Sequence, residues 1–180
     1  MAGRTESIRA LCRRTAVCGL FAGLSVVLMA VGSAFGVLTY VCPMLAGVPV
    51  YLVRRAWGPR PALCLWAAAG LLGLMLVPDR EMAALFLGLV GWYPAAKPTL
   101  DRLPGPMRRL AKGACFGVAL LVLYAALLSL MGLEALGLGP AWENLLLWLM
   151  GTGTLALYDV ALPRLALQLE RRLGHVLFHP

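Results

Sequence analysis

Thirty-nine consecutive residues, Thr15 to Val53, carry no charged side chain, and arginines (Arg14 and Arg54) bound the run on both sides. One membrane crossing needs about 20 apolar residues, so this run is too long for one span and suits two. Gly32-Ser33-Ala34-Phe35-Gly36 supplies a turn near its middle, because glycine and serine readily leave helical geometry. Spans are therefore expected at 15–31 and 37–53. Pro43 and Pro49 interrupt the second, each removing a backbone donor and inviting a kink.

The rest of the chain repeats the pattern. Further spans are expected at 62–77, 82–96, 113–132 and 145–162. The expected class is an all-α membrane protein with six transmembrane helices in one domain, residues 1–180. The chain is 61% hydrophobic and 13% charged, with a mean hydropathy of +0.83. A soluble domain carries about 25% charged residues, so an integral membrane protein is the reading that fits. The fourth span is the weakest. Its 15 residues between Glu81 and Lys97 rise about 22 Å, short of a hydrocarbon core of about 30 Å. Either Lys97 snorkels, or Asp79 and Glu81 sit below the outer surface in a wet pocket. Trp92 and Tyr93 suit an aromatic belt at its inner end.

Charge placement orients the spans. The arm 1–14, the loops 54–60 and 97–112, and the tail after 162 hold 15 of the 16 Lys and Arg residues; Arg80 alone falls on the other side. The positive-inside rule puts both termini in the cytoplasm. The net charge of +8 is then a topology signal. It draws the protein to anionic membrane lipids and gives no reason to expect nucleic acid. A basic arm before an apolar run resembles a signal peptide, but the run continues into a second span, so an uncleaved first span in a multi-pass protein of the cell (plasma) membrane is expected.

Few residues carry chemistry. The five cysteines form no CxxC pair or Cys/His cluster, so neither a disulfide framework nor a metal site is expected. The spans hold no Ser/His pair, HExxH or phosphate-binding GxxxxGK[ST] pattern, and both histidines fall in the tail. Neither catalysis nor a cofactor is indicated. Asp159, the one acid inside a span, is expected to pair with Arg164 or another inner-face arginine. Asp79 and Glu81 either cap the short fourth span, where the helix dipole favours acids, or line an external solute pocket with Tyr40, Trp142, Glu143 and Asn144.

The first span has one more feature. Thr15, Gly19 and Gly23 recur every four residues, with Cys18 and Ala22 beside them, giving a helix a stripe of small side chains. In lipid such a stripe admits another helix at close range, although internal packing uses the same device.

With its six spans, its length, inward termini and the Cys18/Ala22 and Gly19/Gly23 pairs in TAVCGLFAGLSVVLMAVG, the chain resembles the substrate-binding (S) subunits of energy-coupling-factor vitamin transporters. Glycine and cysteine stand where that family has alanines. The resemblance implies capture of a small vitamin-like solute from outside, docking of the first helix on a transmembrane coupling subunit, and partner ATPases that power import. It names no solute. The rival expectation is a non-enzymatic polytopic scaffold or assembly protein.

Overall fold

The computed structural model describes the backbone of residues 2–35, 38, 41–131 and 141–177; the side chains of 2–7, 9, 10, 81, 120–131, 141–148, 150, 152 and 173–177 are outside the description. The described chain is all helical. In order it forms α1 (Ala2–Ala34), α2 (Val41–Trp57), α3 (Pro59–Leu76), α4 (Arg80–Leu85) running into a π-helical turn (Phe86–Val90), α5 (Tyr93–Leu100), α6 (Gly105–Met131) and α7 (Ala141–Leu177).

The first three helices pack against one another, and α2 also contacts α5 and α7. Met29, Leu52, Leu65, Met82, Phe86 and Leu162 are fully buried, so the core draws on α1, α2, α3, α4, the π turn and α7. Several glycines set the helix spacing. A Cβ on Gly73 would stand 2.9 Å from the Met29 methyl, one on Gly32 would meet Cys42, and one on Gly70 would meet Leu87. Ser25 is buried on α1 with its hydroxyl 2.9 Å from the Phe21 carbonyl and 3.0 Å from the Ala46 carbonyl of α2. Having one proton, it donates to one of them at a time.

Two helices, Leu11–Ala34 and Pro59–Leu76, are long and apolar enough to cross a membrane among the described residues, with mean hydropathies of 2.1 and 1.4. Only 33% and 28% of these windows are buried within the protein, unlike the core helix of a soluble domain. Leu20, Val27 and Val31 on α1 and Leu71, Met75 and Leu76 on α3 face outward. Exposed apolar surface on this scale marks contact with another apolar phase, a membrane or a protein, and supports membrane association.

Local chemistry explains the helix ends. The turn expected at 32–36 ends α1 at Ala34, where the Phe35 amide donates to the Gly32 carbonyl at 3.1 Å. Gly58 joins α2 to α3 at φ +94°, a conformation that side chains disfavour, and Pro59 opens α3 with its fixed φ. Pro43 lies in the first turn of α2, where a missing donor costs little; Pro49 is interior.

The fourth span differs from expectation. Residues 82–96 are not one regular helix. Helix α4 widens into the π turn, where the Gly91 amide reaches back five residues to the Phe86 carbonyl at 2.7 Å. Pro94 has no N–H for the Val90 carbonyl, so the helix breaks at Gly91–Trp92 and restarts as α5 with Pro94 in its first turn. Consequently the loop expected at 97–112 is largely helical: α5 extends to Leu100 and α6 begins at Gly105. The basic arm and the tail are helical as well, within α1 and α7.

Candidate functional site

Two places combine exposed geometry with polar or small residues. The first is a groove of about 500 Å³ between α1 and α3. Thr15, Cys18, Gly19 and Ala22 line one side; Pro61, Cys64, Leu65 and Ala68 line the other; Arg14 and Trp57 stand at the lining as well. The small-residue stripe is divided. Ala22 is buried in the core, which is the packing role. A Cβ on Gly19 or Gly23 would meet nothing within 4 Å. Those two glycines face outward and leave the helix backbone open to a neighbour. Thr15 turns its hydroxyl back to the Leu11 carbonyl at 3.1 Å, so the stripe presents no unpaired donor there.

The second place is an ionic cluster where α5, α6 and α7 meet. The π turn and the restart at Pro94 put Tyr93 and Lys97 four residues apart on one face of α5. Both reach Asp159 of α7. The Tyr93 hydroxyl donates to Oδ1 at 2.5 Å, and the Lys97 ammonium bonds the same oxygen and the Asp159 carbonyl, the latter at 2.9 Å. From α6 the Lys112 ammonium contacts Asp159 Oδ2 at 2.7 Å and Asp101 Oδ1 at 2.6 Å, and Asp101 lies 3.5 Å from Lys97. Two cations thus face two anions. Lys97 keeps only 6% of its side-chain exposure, and these partners compensate the burial of its ammonium. For Lys112, burial alone would lower the pKa, but the bonds to Asp101 and Asp159 outweigh it and raise the value. Around the cluster, Arg54 ties α2 to α5 by donating to the Ala95 carbonyl at 2.9 Å and Thr99 Oγ1 at 3.1 Å, and Arg55 pairs with Glu170 of α7 at 3.2 Å. The arrangement fastens helices: each carboxylate is engaged by ammonium groups, and the nearby phenol is donating.

Asp159 therefore has other partners than the one expected. Lys97, Lys112 and Tyr93 hold it, and Arg164 is exposed. The physical reason is the break before α5, which swings Lys97 inward instead of letting it snorkel. The sequence held a signal for this. Lys97 and Lys112 are the chain's two lysines among 16 basic residues. An ammonium offers three rotatable donors, enough to bridge two carboxylates.

Of the expected external pocket, Asp79 is described. Its Oδ1 accepts the Met82 amide at 3.3 Å, capping α4. Tyr40 lies outside the described residues, as do the side chains of Glu81, Trp142, Glu143 and Asn144. Among the described residues no three His, Cys, Asp or Glu side chains gather closely enough to hold a metal ion. Comparison with family models, with curated proteins and with solved structures gave no match.

Proposed function

We propose that this chain is a membrane-embedded binding subunit that docks on another membrane protein through α1. The observation that carries this reading is the outward face of Gly19 and Gly23, with Gly19 at the lining of a groove of about 500 Å³. Water exclusion drives little helix association within lipid; close van der Waals contact does, and bare glycine backbone permits it. In its specific form the protein is a six-span solute-binding subunit of an energy-coupling-factor importer, with both termini in the cytoplasm. It captures a small vitamin-like solute outside and hands it to a transmembrane coupling subunit and its ATPases, itself hydrolysing nothing. The charge placement of the loops supports that topology. The same groove equally favours a second reading, a polytopic scaffold whose α1 gathers other membrane proteins.

Affinity capture from native membranes in mild detergent, followed by mass spectrometry, separates the two. Co-recovery of a coupling subunit with ATPases supports the importer. Recovery of other membrane proteins transfers the reading to the scaffold. Recovery of no stoichiometric partner contradicts docking in either form.

A further inference from the structure

Beside the ionic cluster, α6 and α7 enclose an open cleft of about 230 Å³ that the clasp itself does not fill. We propose that this cleft binds the phosphate headgroup of an anionic phospholipid, with Arg109 as its principal ligand. The inference rests on the reading that the 97–112 face lies at the inner membrane surface.

The charges select an anion. Lys112 lines the cleft, but Asp101 and Asp159 hold its ammonium. Arg109, one turn earlier on α6, also lines the cleft, is exposed, and has no carboxylate within ion-pair distance among the described residues. Between positions 97 and 112, Lys97, Arg102, Arg108, Arg109 and Lys112 face only one acid, Asp101, and Asp159 adds one from α7. The surplus is three positive charges. Both acids are already occupied by lysines, which leaves none to attract a choline or ethanolamine ammonium. A guanidinium presents paired donors that match phosphate oxygens.

The walls select a lipid over a free anion. Phe116, Leu155 and Ala156 form an apolar side to the cleft. A soluble phosphate would leave these walls wet, whereas a phospholipid covers them with its glycerol and upper acyl chain while its phosphate reaches Arg109. Gly113 lies between the basic and apolar ends, and a Cβ there would meet nothing within 4 Å, so the backbone at that point is open to approach. The cleft is smaller than the roughly 300–1,000 Å³ that encloses a drug-sized ligand. That size fits a headgroup whose chains run outside along the helices.

The test uses the full chain reconstituted in mixed vesicles of phosphatidylcholine and phosphatidylglycerol, re-extracted in mild detergent, with retained lipids quantified by mass spectrometry. The wild type is expected to retain phosphatidylglycerol over phosphatidylcholine by about tenfold, a difference of about 1.4 kcal/mol. Arg109→Gln should abolish most of that enrichment, and Arg171→Gln, on the exposed tail, should not. Equal enrichment in wild type and Arg109→Gln overturns the site, as does an equal loss in Arg171→Gln, which means diffuse attraction. Displacement of the retained lipid by inorganic phosphate at constant ionic strength overturns the lipid assignment in favour of a free anion. Gly19→Leu separates this proposal from the docking reading: it should retain phosphatidylglycerol whether or not partner capture is lost.

Discussion

The α1–α3 unit and the α5–α7 junction are held together by opposite means. In the first, helices meet through shape: Gly32 against Cys42, Gly73 against Met29, and one buried hydroxyl, Ser25, satisfied by backbone carbonyls. In the second they meet through charge, with Lys97 and Lys112 shared between Asp101 and Asp159. Close apolar packing loses energy in proportion to the volume disturbed. An ion cluster with a nearly buried member fails more abruptly, because removing a partner leaves that charge under-compensated. The tight unit is suited to present a rigid outer face, and the ionic junction to fix three separate helix ends.

The largest effect should therefore come from Asp159→Ala. It leaves Lys97 only the longer contact to Asp101 at 3.5 Å and should cost about 2–3 kcal/mol of stability, read by thermal unfolding in detergent. The double variant Lys97→Met/Asp159→Leu should recover most of that loss, since an apolar pair of similar volume often replaces a buried ion pair without cost. Failure of the double variant to recover would mean that Asp159 acts through Lys112 and Tyr93 more than through Lys97.

On the packing side, Gly91→Ala comes next. Its Cβ would stand 2.6 Å from the Phe86 carbonyl oxygen, a backbone atom of the π turn, and should cost about 1–3 kcal/mol. Gly23→Ala, with open space around it in a helix interior, should leave stability unchanged or raise it by up to about 1 kcal/mol. If both behave alike, the π turn adapts and buried and outward glycines are not distinguished by their surroundings.

Smaller effects follow from titration and from a hydroxyl. Lys112 has its pKa raised in the folded protein, so its contribution to stability is fully present below the ordinary lysine value of 10.5 and is lost as pH rises through the raised one. Unfolding temperatures should fall in that alkaline window, and Lys112→Met should flatten the decline. Tyr158 is buried with its hydroxyl against Gly47, without a protein partner among the described residues. Tyr158→Phe should change stability by about 0–1 kcal/mol, toward greater stability.

How much of this the sequence discloses depends on the distance over which each feature is determined. The turn after α1 is local: glycines and a serine end a helix wherever they lie. The groove was half legible. A four-residue repeat puts Thr15, Gly19 and Gly23 on one face, but only the packing of α3 reveals that Ala22 turns inward while the two glycines stay open. The break in the fourth span escaped hydropathy because Phe86–Val90 is apolar in any helical form, and the π turn becomes visible only through the Gly91 to Phe86 hydrogen bond. The Lys97–Asp159 pair joins residues 62 positions apart. Its pairing follows from tertiary topology, and the local sequence around Asp159 points instead to nearby Arg164.

The claim that α1 docks through its glycine face is tested most directly by site-specific photocrosslinking in native membranes. A photoreactive side chain placed at position 19 fits without distorting the fold, since nothing occupies the space there. The control position is Met75 on α3, 85% exposed and outside the groove lining. A discrete crosslinked membrane protein from position 19, absent from position 75 and lost when Gly23→Leu is added, is the predicted result. Crosslinks to lipid alone at both positions would contradict docking and leave the groove as ordinary lipid-facing surface.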